Sequence, residues 1–217
     1  DLTIVDVFQQ YLKFPENRQD YPSAYTFKSQ HPDVLEIIEK QDITQSKLNL
    51  GYQIDCDFIS EQHYAFTVFN AIFGGFSQSR LFKVVREENS LCYYVSSSYD
   101  AFNGIMIVNA GIEAKDYHKT MDLIQQELKA IQDGQIEKRD IDVAKMMLEN
   151  SLRKTSDEAG SMIALTYNRD ITHKVESNDE YIEKLLNVSQ EDIIKVAKQV
   201  RLDTIFFLTG KDFDENN

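Results

Sequence analysis

Residues 73–98 read FGGFSQSRLFKVVREENSLCYYVSSS, and the fold turns on how this stretch is parsed. Gly74-Gly75 breaks the apolar run that precedes it, because paired glycines disfavour a helix interior. From Gln78 to Glu88 the residues Leu81, Val84 and Val85 recur at helical spacing, which predicts a short helix with those three inward. Leu91 to Ser98 then takes on strand character, with β-branched and aromatic residues among serines. The stretch is therefore bend, helix, turn, strand.

Working outward, Ser60 is placed to cap a helix that runs through Ala65, Val68, Phe69 and Ile72 into the glycine pair. Upstream of it, Leu48, Leu50, Tyr52 and Ile54 alternate with polar neighbours, the pattern of a half-buried strand. Downstream, Asn103-Gly104 predicts a hairpin turn into a second strand, Ile105 to Ile112. Long helices follow. Tyr117, Met121, Ile124, Leu128 and Ile131 share one face, with Gly134 placed just past the end. Ile141, Ala144, Leu148 and Leu152 share another, and a third helix is expected around Met162 to Tyr167. Ser189 with Asp192 reads as a capping box, with Val188 and Ile193 as its hydrophobic staple. Thr204 to Leu208 is a last short strand, ahead of an acidic tail from Asp212 to Asn217 that is expected to fray. At the other end, Leu2, Val5, Phe8 and Leu12 mark a helix that Pro15 and Pro22 interrupt. The charges around Val34, Leu35, Ile37 and Ile38 leave that segment unassigned. The expectation is one α+β domain over residues 1–217, an antiparallel sheet packed against long helices.

Composition narrows the function. Lys plus Arg number 23 against 36 Asp plus Glu, a net charge of −13. Such a chain is a poor partner for phosphate backbones, so nucleic acid is excluded as a ligand. No apolar run approaches the roughly 20 residues that span a bilayer, so a membrane-spanning helix is not expected. Cys56 and Cys92 have no CxxC spacing and read as free thiols of a reducing compartment, which points to the cytoplasm. An Asp rather than a Met at position 1 points to a piece of a longer chain or a processed product.

The search for a complete catalytic set fails. The histidines are His31, His63, His118 and His173, with no H-E-x-x-H among them. His173-Lys174-Val175-Glu176-Ser177 approaches the inverted zinc motif H-x-x-E-H, but Ser177 stands where the second imidazole belongs. Without that donor a three-ligand catalytic zinc site is short of ligands. Ser151-Leu152-Arg153-Lys154 fits S-x-x-K, yet its helical spacing marks a helix edge. Gly74-Gly75-Phe76 lacks the lysine and the preceding strand of a phosphate loop.

The glycine bend, the S-R-L-F helix start at residues 79–82, the R-E-x-x-x-L-x-Y run at 86–93 and the serine-bearing strand together resemble the M16 metallopeptidase family of pitrilysin, insulinase and mitochondrial processing peptidase. The resemblance is strongest over residues 60–112. It implies an α+β half that closes, clamshell fashion, with a second half around a peptide. Because H-x-x-E-H is missing, the chain is similar to the C-terminal, zinc-free half. No metal is expected on this chain, and zinc is expected on an N-terminal half, fused or supplied by a partner subunit in a homo- or heterodimer. The implied ligand is a peptide or unfolded polypeptide. Two departures stand out: Gly74-Gly75 is poorer in glycine than the usual bend, and Cys92 replaces a small residue.

The resemblance also assigns Arg86 and Tyr93 to contact with the scissile carbonyl. Independent chemistry fits that role. Charge builds on a carbonyl oxygen under attack, and a guanidinium or phenol can donate to it. The residues alone allow plainer readings, with Arg86 paired to Glu87, Glu88 or another carboxylate at the helix end and the Tyr93 ring packed on the helices. Tyr94, on the opposite strand face, is expected simply to pack. A scaffold subunit that binds peptide without a part in catalysis is the alternative.

Overall fold

A computed structural model describes residues 2–13, 16–17, 33–55, 60–155, 158–173 and 176–213. Pro15, Pro22, His31, Cys56 and the tail beyond Phe213 fall outside the described residues. The elements are α1 (Leu2–Tyr11), β1 (Leu35–Gln41), β2 (Ser46–Gln53), α2 (Gln62–Asn70), β3 (Cys92–Asp100), β4 (Ile105–Ile112), α3 (Tyr117–Gln132), α4 (Lys138–Thr155), α5 (Ala159–Thr172), α6 (Asn178–Asn187), α7 (Gln190–Ala197) and β5 (Arg201–Gly210). Two π-helical turns, Ala71–Gly75 and Phe82–Glu88, flank the Ser77–Ser79 bend.

The strands form one sheet in the order β1-β5-β2-β4-β3. Four of them pair antiparallel, as expected, but β1 adds to the edge in parallel with β5. The sheet is mixed because β1 and β5 lie at opposite ends of the sequence and run the same way. Glu36, Glu39 and Lys40 mask the strand pattern of β1, and those charges suit an edge, where they discourage further pairing. A Tyr117 hydroxyl bond to Glu36 ties this edge back to α3.

Side-chain alternation divides the sheet into two unlike faces. One row, Ile38, Phe207, Leu48, Ala110 and Val95, crosses all five strands toward the helices. Of these, Phe207, Leu48, Ala110 and Val95 are buried in a core shared with α2, α3 and α7. The neighbouring row, Ile37, Phe206, Asn49, Asn109 and Ser96, points the other way and stays at least partly exposed.

Local signals explain most of the helices. Gly134 has φ +82 just past α3, where the sequence placed it. Ser189 accepts from the Asp192 N–H and the Asp192 carboxylate accepts from the Ser189 N–H, so the predicted capping box is present. Ser177 and Glu180 form a second box at the start of α6, a helix the sequence reading passed over. Ser60 does not cap α2. Glu61 holds that position and makes no side-chain cap bond. Behind α2 a polar cluster joins three elements: the His63 ring bonds the Tyr181 hydroxyl (3.0 Å), and Tyr99 bonds Thr67 (2.7 Å). The Tyr64 hydroxyl donates to Glu176 and accepts from Lys184. Burial, and less strongly Glu176, raises the Tyr64 phenol to about 12, while Lys184 pulls the other way.

Candidate functional site

The glycine bend is not a simple helix break. A turn of π-helix carries the chain from α2 through Gly75 before Phe76 becomes extended. Gly74 is buried against β3, and a Cβ there would lie 2.6 Å from the Ser97 hydroxyl and 2.7 Å from the Ser97 nitrogen. No larger residue fits between that turn and the strand. Ser97 in turn donates to Asn70 at 2.7 Å, which pins the end of α2 to β3.

Arg80, from the S-R-L-F run, is structural. Its guanidinium donates to Glu127 of α3 at 2.6 Å and to the Gln135 carbonyl at 2.6 Å. Leu81 and Val85 are fully buried, and Val84 partly, as their spacing predicted. The following turn is tight. Ser90 adopts φ +54, and the N–H groups of Asn89, Ser90 and Leu91 close onto Val84, Arg86 and Val85. A non-glycine residue with positive φ is uncommon, and here it reverses the chain between Arg86 and Tyr93.

Arg86 is exposed on the π-helical turn, with its guanidinium 4.7 Å from the centre of the Phe82 ring. Among the described residues it forms no salt bridge with Glu87 or Glu88, and Glu88 instead faces Lys83 at 4.0 Å. The plain ion-pair reading of Arg86 therefore does not hold. Its charge reaches Cys92, whose thiol is raised by burial to about 11 and drawn back by Arg86.

Tyr93 is not packed on the helices either. Cys92 lies opposite Ile112 and Tyr94 opposite Gly111, so the β3–β4 register skips Tyr93. This is a β-bulge, which adds one residue to a strand and re-aims its side chain. Simple alternation would send Tyr93 inward with Val95, yet it is 69% exposed. It opens onto a cleft of about 690 Å³ together with Tyr94, Thr44, Gln45, Ile112, Glu113, Ala114 and Lys115. Arg86 is absent from that lining. The two residues singled out by sequence thus flank the start of β3, Tyr93 on the cleft and Arg86 beside Cys92.

The sequence reading missed the rest of the cleft. Tyr94 packs over Gly111, as expected, but it also faces the opening and remains 43% exposed. Thr44, Gln45, Glu113 and Lys115 carry no motif, and only the register of β2 and β4 brings them beside Tyr93. The zinc-like run ends differently. His173 closes α5 in a left-handed conformation (φ +53), and Ser177 caps α6, so the two positions do not share a helical face. Among the described residues, no three His, Cys, Asp or Glu side chains gather as a metal site. The described residues therefore supply no ligand set for a zinc ion.

Comparison with known proteins agrees with this anatomy. A family model described as the peptidase M16 inactive domain matches residues 2–148. The chain is 34% identical over 177 residues to a Bacillus subtilis (strain 168) protein named probable inactive metalloprotease YmfF, covering 82% of this chain and 42% of that protein. It is 26% identical to a second protein of that organism, named uncharacterized zinc protease YmxG, over 76% of this chain and 41% of that one. Among solved structures, a conserved protein from Enterococcus faecalis V583 superposes with a TM-score of 0.88 at 34% identity, over 99% of this chain and 51% of that one. The peptidase M16 inactive domain from Pseudomonas fluorescens shares the fold at a TM-score of 0.70 and 18% identity, covering 85% of this chain and 45% of that one. The chain therefore spans about two fifths of the length of these curated relatives, 42% and 41%. The bulged serine strand, the π-helical glycine bend and the matched family model together place it: this chain belongs to the peptidase M16 family, as an inactive domain of that family.

Proposed function

We propose that this domain forms one wall of a peptide chamber whose other wall, an N-terminal half, carries the zinc. The observation that supports this most is the bulge at Tyr93, which turns a phenol out of the core and into a cleft at the end of β3. The outward rows of the sheet supply the rest of a wall. Leu35, Ile37 and Ile107 are 36 to 41% exposed on it, an apolar lining for an extended, unfolded polypeptide. The net charge of −13 favours approach of basic segments at long range.

In this reading Tyr93 donates its hydroxyl hydrogen to the oxygen of the peptide carbonyl under attack. Arg86 supplies a permanent positive charge from the same end of the strand. Both contacts matter most when that oxygen carries charge, so they accelerate the reaction rather than merely hold the peptide. Lewis-acid chemistry belongs to the zinc of the other half. The reading also places the parent protein in the cytoplasm.

A second reading has its own support. Arg86 does not line the cleft, and the 34% identical B. subtilis relative is named an inactive metalloprotease. A domain that binds peptide or a partner subunit without aiding catalysis fits those two facts. Arg86→Ala and Tyr93→Phe in the full-length parent protein separate the readings. Loss of a carbonyl donor lowers turnover by about 100- to 1000-fold. Unchanged turnover with peptide still bound establishes the scaffold role instead.

A further inference from the structure

Gly111 sits on the outward face of β4, directly across from Tyr94 of β3. A Cβ on Gly111 would lie 2.4 Å from Tyr94 Cε1, 2.9 Å from Tyr94 Cδ1 and 3.0 Å from Gln45 Nε2. The phenol ring of Tyr94 therefore fills the space that a side chain at 111 would take. An aromatic ring laid over a cross-strand glycine is a known way to pin strand register. The slot is one residue from the place where register is lost, since Tyr93 has no partner on β4.

A bulge has a choice of position. Slipping it by one residue would put Tyr93 across from Gly111 and send Tyr94 to the opposite face, because side chains alternate along a strand. Val95, buried opposite Ala110, holds the strand from the far side but does not decide which of the two tyrosines is spare. The glycine slot does decide it, because a ring seated there selects Tyr94 as the paired residue. We propose that Tyr94 is a positioning residue: seated over Gly111, it locks the bulge at Tyr93 and aims that phenol into the cleft. The functional consequence rests on the reading of Tyr93 as a peptide contact, while the positioning itself does not.

The test uses the full-length parent protein with 3-fluorotyrosine placed at position 93, and fluorescein-labelled casein as the unfolded polypeptide. Gly111→Ala drives the ring from its slot and Tyr94→Ala removes it, whereas Tyr94→Phe keeps the ring. The fluorine resonance of residue 93 is expected to shift or broaden in the first two and to stay in place in Tyr94→Phe. Casein binding is expected to weaken by the same factor in Gly111→Ala as in Tyr93→Ala, with no further loss when the two are combined. If Gly111→Ala does not fold, Tyr94→Ala carries the test, since it removes the ring without adding an atom at Gly111. An unmoved resonance in Tyr94→Ala overturns the proposal. A moved resonance with casein binding untouched, even by Tyr93→Ala, leaves the positioning standing and removes the peptide-contact reading.

Discussion

The β3–β4 hairpin meets a glycine on each of its faces, and the two contacts lead to different ends. On the inner face Gly74 lets a turn of π-helix press against Ser97, and Gly74, Phe73 and Ser97 are all buried there. On the outer face Gly111 receives the ring of Tyr94, and the neighbouring Tyr93 is left pointing to solvent. The same absence of a Cβ serves stability on one side and the aiming of a side chain on the other. In this domain the buried core face backs an outer face whose side chains stay largely exposed.

The sharpest probe of that contrast lies on the inner rows. Phe207→Ala empties the centre of the sheet's core face and is expected to cost about 3–5 kcal/mol in urea unfolding. Leu35→Ala, on the outer face, should change stability by no more than about 0.5 kcal/mol. Gly74→Ala forces a methyl against the Ser97 backbone and should cost about 1–3 kcal/mol, more than Gly111→Ala, whose obstruction is a side chain able to swing into open cleft. Equal losses at the two glycines would erase the distinction drawn between the faces.

Smaller effects refine the picture at the periphery. Ser189→Ala removes the α7 capping box and should cost about 1 kcal/mol, well away from the cleft and with no effect on peptide binding. Hydrogen bonds from Ser189, side chain first and then backbone, hold the Asp192 carboxyl below its usual value of 3.8. A depressed carboxyl adds stability that is fully present above that ordinary value and fades as pH falls through the folded one. Thermal unfolding at falling pH should therefore show the gap between Ser189→Ala and the parent protein narrowing, with the bond from the Asp192 N–H to the Ser189 hydroxyl keeping part of it open. The smallest change is at Cys92. Arg86→Ala removes the cation that draws its thiol down, so alkylation of the Cys92 peptide by iodoacetamide, already slow at pH 8, should slow further.

How much of this was open to reading depends on the range of the interactions. The β2 strand, the β3–β4 hairpin, α3, α4 and the Ser189 box depend on periodicity and neighbours within a few residues, and their signals sit in the chain itself. β1 stayed hidden because its partner lies more than 160 residues away (Leu35 opposite Thr204) and its charges blur the alternation. Ser177 and Glu180, three residues apart, are a capping-box signal for the start of α6 that lies within the chain itself. Arg86 and Tyr93 are legible only through family likeness, because their placement in space is set by the π-turn, the left-handed Ser90 and the bulge together. None of those three is encoded by periodicity. The cleft lining, Thr44, Gln45, Glu113 and Lys115, exists only once β2 and β4 are in register.

The placing of β5 between β1 and β2 has a consequence for how the molecule is made. Its residues leave the ribosome after every other element described, at a pace of about 5–20 residues per second. Until Arg201–Gly210 emerges, β2 has one bare flank and β1 has no neighbour in the sheet. Nascent chains halted short of Arg201 therefore display an apolar strand with open backbone donors and acceptors, the kind of surface chaperones and proteases recognise.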